Sequence, residues 1–287
     1  MNGVAAAVVS SALGGTAAAL TRYVVGASDP VTLAAFRFGI GFLIICPLAL
    51  ALRARWPRGR DWIGVAALGV AFFAFFFFLY NIAMSYTSAA RGSLALSTLP
   101  LTTMILAFLL GRESLSIRKT AGVLIAIGGV AFALSAGLAD APPGAWRGDL
   151  VMLGATVVMA LYSIWSRPFM ARSSMLGFLA AGMGFGAMAS IALSFLTGKY
   201  SLIENLNRHQ WIAIACLGVF GGAAAFYLWV YALERTTPTR VTNTMTVNPV
   251  SASLLAAVLI GEPIGLPLAL GIVAVGAGIW LASSAPR

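Results

Sequence analysis

Apolar residues run along the chain in blocks the length of a membrane span, separated by polar seams. A spanning helix needs about 20 mostly apolar residues. That rule predicts ten spans: 3–26, 30–52, 61–86, 89–110, 118–137, 149–166, 174–197, 209–233, 238–260 and 265–284. Most seams are short; the longer two are 137–148 (GLADAPPGAWRG) and 198–208. The first divides the chain into two sets of five, an N-terminal unit at 1–140 and a C-terminal unit at 141–287.

The two units resemble each other. Residues 61–136 laid on 210–285 without a gap give 22 identities in 76 pairs, among them Arg91/Arg240, Pro100/Pro249 and Glu113/Glu262. The opening helices match at a shift of 145, as in Ser11/Thr156 and Arg22/Arg167. Self-similarity at a fixed offset marks a duplicated unit. Because each unit has an odd number of spans, the second must lie upside down relative to the first. The predicted fold is therefore an all-α integral membrane protein with ten transmembrane helices in two inverted five-helix repeats, an architecture of secondary transporters with the site where the units meet.

Charge sets the orientation. With both termini cytoplasmic, the inner segments hold twelve Arg and Lys and the outer ones five, with Arg37 inside a span. Such a bias predicts both termini inside. Composition agrees with a membrane chain: 60% of residues are hydrophobic and 9% charged, against roughly 25% charged in soluble domains. The net charge of +10 therefore points to basic cytoplasmic loops rather than to nucleic acid.

Within the repeat, Pro100 and Pro249 lie inside their spans, where each takes the amide hydrogen from the carbonyl of Leu96 or Met245 and kinks the helix. A freed carbonyl in lipid must be satisfied by protein or a wet cavity, so both kinks are expected to face the interior as hinges. The ninth span places Thr237, Thr244, Asn248 and Ser251 on one face, with Asn243 and Thr246 beside them; Thr98 and Thr102 are a weaker version in the fourth. Such polar groups either bond a neighbouring helix or line a cavity. The third span carries FFAFFFFLY (72–80) where the eighth carries GGAAAFYLW (221–229), so the pair would leave an asymmetric hollow. Aromatic residues with a polar handle near mid-span, Tyr80, Tyr162, Trp165, Tyr227 and Trp229, join Asn81, Thr98, Asn243, Thr244 and Asn248 in the candidate cavity. Gly182 and Gly186 form a GxxxG expected to let helices approach closely.

All eight acidic residues fall in loops or at span ends, whereas proton relays usually need an intramembrane carboxylate. Gradient-driven transport without obligatory proton exchange is the expectation. Glu113 and Glu262 precede the fifth and tenth helices, where a carboxylate favours a helix N-terminus. Arg37 either snorkels to the outer face or turns inward, where it could meet a substrate carboxylate. No metal-ligand spacing, catalytic set or phosphate-binding loop is present, and Cys46 and Cys216 stand apart. No cofactor, metal or enzymatic activity is expected.

LAAFRFGIGFL (33–43), the repeated segments with Pro100 and Pro249, and the ends GRESLS (111–116) and IGEPIG (260–265) resemble the EamA-type ten-helix members of the drug/metabolite transporter superfamily. Within it the chain is most similar to YddG-type exporters of aromatic and other neutral amino acids. ALGGTAAAL (12–20) lacks the first-span glutamate of the small multidrug branch, and Val241 to Ile260 lack the basic residues of the phosphate-sugar branches. The resemblance implies a plasma-membrane exporter (the inner membrane of a bacterium) for amino acids and related small metabolites, working by alternating access as monomer or homodimer. Spans 1, 3, 4, 6, 8 and 9 would line the cavity while 5 and 10 support them. Proton-coupled multidrug efflux and a non-transporting membrane scaffold are the alternatives.

Overall fold

The computed structural model describes residues 2–110, 117–136, 141–200, 204, 206–236, 241, 242 and 244–283. In chain order the helices are α1 (Gly3–Val25), α2 (Pro30–Ala51), α3 (Asp61–Tyr86), α4 (Ala89–Leu96), α5 (Leu99–Leu109), α6 (Ile117–Ala136), α7 (Ala145–Arg172), α8 (Met175–Leu196), α9 (Arg208–Arg235), α10 (Val247–Ile260) and α11 (Leu266–Ser283). Among the described residues there is no strand. That is what lipid demands, since a helix satisfies its own backbone. Among the described residues six helices, α1, α2, α3, α7, α8 and α9, are long and apolar enough to cross a membrane.

Polar seams set the boundaries by capping. Asn2 accepts from the Ala5 amide, Asp29 from Val31 and Thr32 ahead of Pro30, and Ser174 from Gly177. Asn207 and Gln210 form a capping box on α9. Each supplies an acceptor to a backbone N–H that the first turn leaves orphaned. The sixth predicted span, 149–166, is too short. α7 runs on through Pro168 to Arg172, whose guanidinium holds Asp61 through two hydrogen bonds of 2.8 and 2.9 Å.

The proline segments break rather than bend. Ser97 and Thr98 separate α4 from α5, and Pro100 becomes the second residue of α5. In the ninth predicted span a 3₁₀ turn, Thr244–Thr246, precedes α10, and Pro249 is its third residue. Prolines in a first turn give up no intrahelical hydrogen bond, so a break accommodates them better than a kink. The carbonyl of Met245 is answered from the other break: the Ser97 hydroxyl donates to it at 3.0 Å. Pro249 is buried and Pro100 half-buried. Asn243 and residues 237–240 lie outside the described residues, as does Glu113.

α3 and α9 share another irregularity. Val70–Phe76 and Leu217–Ala224 are π-helical, at nearly the same place in the two matched segments. Helices then pack across the midpoint of the chain: α2 on α8, α6 on α11, α1 on α9 and α10, and α7 on α3 and α5. The pair α6–α11, with Ala90 and Leu94 of α4 and Leu101 of α5, builds an apolar cluster apart from the main core. Close crossings need glycine at a few points. A Cβ on Gly15 would overlap the Ser251 hydroxyl and the Asn248 carbonyl of α10. Gly182 and Gly186 accept Phe73 of α3 against the α8 backbone, the contact expected of the GxxxG.

Candidate functional site

Where the halves meet, a central cavity of about 480 Å³, its open side included, is lined from α1, α2, α3, α4, α7, α9 and α10. Its walls follow the sequence repeat. Gly14 and Met159 are repeat mates, as are Phe76 and Ala225, Phe77 and Phe226, Tyr80 and Trp229, and Leu96 and Met245; all ten line the cavity. They form a symmetric apolar and aromatic frame. Phe77 and Phe226 stand 5.9 Å apart between ring centroids, with Phe38 4.4 Å from Phe77. Such ring pairs contribute about 0.5–1.5 kcal/mol beyond their burial, so the frame is stiff.

The remaining lining residues break the symmetry, and they carry the polarity: Ser10, Ser11, Arg37, Gly221 and Asn248. Their repeat mates are Ala155, Thr156, Gly182, Phe72 and Leu99, and none of those lines the cavity. Thr156, the one polar mate, lies 3.2 Å from the Thr102 hydroxyl instead. The site is two-faced, polar toward α1, α2, α9 and α10.

Arg37 resolves its two readings in favour of the interior. It is 4% exposed. Nη2 donates to the Gly221 carbonyl at 2.9 Å, while Nε and Nη1 are enclosed without a hydrogen-bond partner. The guanidinium carbon lies 4.5 Å from the Phe77 ring centroid and 5.9 Å from that of Tyr80, contacts worth up to roughly 2 kcal/mol when desolvated. Gly221 and Gly222 make room for it: a Cβ on Gly222 would press on the Arg37 carbonyl at 2.7 Å, and one on Gly221 would meet Nη2 at 3.4 Å. The mirror contact reverses the sizes, with Phe73 (mate of Gly222) against Gly182 (mate of Arg37). Large meets small in both, so only one half can hold the cation.

Among the described residues no acidic side chain lines the cavity. Five of the described carboxylates are paired elsewhere: Asp29 with Lys199, Asp61 with Arg172, Asp149 with Arg91, Glu234 with Arg235 and Glu262 with Arg22. Asp149 lies near the start of α7, a span end as expected, and is 4% exposed. Glu262 faces a different helix from the one expected. It accepts the Ala89 amide at 3.0 Å at the start of α4, instead of serving the helix that follows it.

The structure brings Arg37, Tyr80, Trp229 and Asn248 together in the cavity. Thr244 stands behind the wall, 2.8 Å from the Ser11 hydroxyl. Four other sequence candidates do structural work. Asn81 donates to the Pro30 carbonyl at 2.7 Å, Thr98 donates to Ala95, Tyr162 stacks on Phe72 at 4.2 Å, and Tyr227 pairs with Tyr231. Trp165 is 47% exposed on the outside of the bundle. Sequence reasoning did not choose eleven of the fifteen lining residues, Ser10, Ser11, Gly14 and Phe76 among them. The signal was available for eight of the eleven, since each has a repeat mate in the lining.

Comparison with known proteins then decides the family. The model of the EamA-like transporter family matches residues 1–135 and 146–284. The chain belongs to that family. This EamA-like transporter is 26% identical over 273 residues to the transporter YyaM of Bacillus subtilis, covering 93% of this chain and 89% of that one. It is 32% identical over 262 residues to PA1977 of Pseudomonas aeruginosa, covering 89% and 84%. A probable terminal-alkyne amino-acid exporter of Streptantibioticus cattleyicolor is 28% identical over 246 residues, covering 83% and 80%. A solved structure matches with a TM-score of 0.71 and 23% identity, covering 97% of the EamA-like chain and 96% of its own, a likeness of fold.

Proposed function

We propose that this membrane transporter exports amino acids, aromatic and other neutral ones, and related small metabolites across the plasma membrane. Its mechanism is alternating access between two inverted five-helix units with both termini cytoplasmic. One observation carries the substrate reading: Arg37, an enclosed cation with two nitrogens lacking a hydrogen-bond partner, faces a cavity that no carboxylate lines among the described residues. An arginine does not deprotonate in a protein, and an unpaired buried charge is costly. A cargo carboxylate would answer both nitrogens, and the aromatic frame would take an apolar side chain.

Several features support the mechanism. Contacts between helices follow the repeat, and the frame of the cavity is built of repeat mates. The two proline breaks touch through Ser97 and Met245, so α4 and the turn before α10 can move as separate pieces. Five of the described carboxylates are ion-paired away from the lining, which favours gradient-driven exchange over obligatory proton coupling. The family membership and the amino-acid exporter among the relatives support the same cargo class.

Counterflow of a labelled amino-acid panel in proteoliposomes tests this. Exchange is expected without an imposed pH gradient, and Arg37→Gln is expected to abolish it while leaving a monodisperse protein. Absence of flux for every amino acid would overturn the reading; flux that depends wholly on a pH gradient would favour proton-coupled efflux.

A further inference from the structure

The polar wall holds a second unanswered group. Asn248 is 2% exposed, lines the cavity, and its Oδ1 is enclosed without a hydrogen-bond partner. Its neighbours are committed: the Ser10 hydroxyl donates to the Ala225 carbonyl at 2.7 Å, and Ser11 pairs with Thr244. A buried amide oxygen left unpaired is destabilising, and one kept on the wall of a cargo cavity calls for a donor. Arg37 on the same wall presents unanswered donors and calls for an acceptor. Both sit on the one-sided part of the lining, where the repeat mates are Leu99 and Gly182. The duplicated frame thus carries a single donor–acceptor pair with one orientation.

We propose that Asn248 is the ammonium subsite of this transporter, so that the cavity selects zwitterionic α-amino acids over carboxylic acids lacking the amino group. This rests on the reading of Arg37 as the carboxylate contact. A cation alone would accept any small monocarboxylate. The paired acceptor adds a requirement for a hydrogen-bond donor on the neighbouring carbon. No acidic residue faces the ammonium among the described lining, so neutral oxygen and the aromatic faces of Tyr80 and Trp229 hold it. That keeps Arg37 free to bind the carboxylate rather than an internal partner. The cargo head points toward α1, α2, α9 and α10, and the side chain lies in the Phe76, Phe77 and Phe226 part of the frame.

The test compares matched probes on the purified full-length protein in detergent, by calorimetry: phenylalanine against 3-phenylpropionate, and leucine against 4-methylpentanoate. Sites that hydrogen-bond a substrate group reject the analogue lacking it strongly, so the amino acid is expected to bind at least about 10-fold tighter than its partner. Asn248→Leu is expected to bring that ratio close to one by weakening only the amino acid, and Asn248→Asp to preserve it. The wild-type ratio needs no variant, so a misfolded substitution leaves the test intact. Equal binding of both members of a pair, or equal weakening of both by Asn248→Leu, overturns the ammonium subsite while leaving the Arg37 reading. Binding of neither member overturns both.

Discussion

The ion pair between Arg91 and Asp149 is the strongest clamp on the short helix α4. Nη2 of Arg91 lies 2.6 Å from Oδ2 of Asp149, and Thr87 donates to Oδ1 at 2.7 Å. The side chains are 8% and 6% exposed, so removing one charge strands the other away from water. Breaking a buried pair in this way costs about 3–5 kcal/mol. Asparagine at 149 keeps an oxygen for Thr87, which places Asp149→Asn near the lower figure, about 3 kcal/mol. For a chain of this size that corresponds to a fall of roughly 6–12 °C in melting temperature. The assay heats detergent-solubilised protein and measures the monodisperse fraction by gel filtration. Replacing both partners by apolar residues, Arg91→Met with Asp149→Leu, is expected to recover at least half of the loss, because the uncompensated charge is gone. A single variant melting within 2 °C of wild type, the resolution of about 1 kcal/mol, refutes the attribution.

Pro100→Ala and Pro249→Ala are each expected to slow counterflow while leaving folded protein, because an alanine lets the helix heal across its break; unaltered rates in both remove the prolines from the mechanism. Gly15→Ala drives a methyl into Ser251 and the Asn248 carbonyl, an overpacking expected to cost about 1–3 kcal/mol and visible as a lower melting temperature. Glu262 behaves unlike an exposed carboxylate: burial raises its pKa above the ordinary 4.5, against the pull of the Ala89 amide and Arg22. An acid raised in the folded state is penalised once it ionises, so its contribution is most favourable below 4.5 and is lost as pH climbs through the raised value. Glu262→Gln should therefore melt no lower than wild type at pH 7, with any advantage disappearing in melts at pH 4.5 or below.

Span boundaries were legible because lipid sets both the length of an apolar run and the length of a helix. The predicted 61–86 and α3 (Asp61–Tyr86) coincide, and the capping residues Asp29 and Ser174 are the polar seams themselves. The rotation of each helix was not legible. A face toward lipid and a face toward the core are equally apolar, so Trp165 and Tyr162 looked alike in sequence although one is exposed and the other buried. Asn81 illustrates the same limit: a polar residue in a span can be spent on a neighbour's backbone, here Pro30. The repeat held more than hydropathy did. Tyr80 and Trp229 were chosen for their chemistry, yet their spacing of 149 residues is what marks the frame. Mapping every mate across the two offsets, 145 for the opening helices and 149 for the later ones, exposes the single-sided groups, Arg37 and Asn248, as the positions where duplication was not kept.

The wide turns in α3 and α9 have a consequence for how such a wall changes over generations. Each behaves as one residue spliced into an α-helix, and one residue is worth about 100° of rotation. Everything downstream, including Phe77 and Tyr80 in one helix and Phe226 and Trp229 in the other, is aimed by that extra residue. Deleting a single amino acid within 70–76 or 217–224 would swing Phe77 and Tyr80, or Phe226 and Trp229, out of their places in the lining while barely altering helix length. An insertion or deletion there reshapes the chamber more than any single point change would.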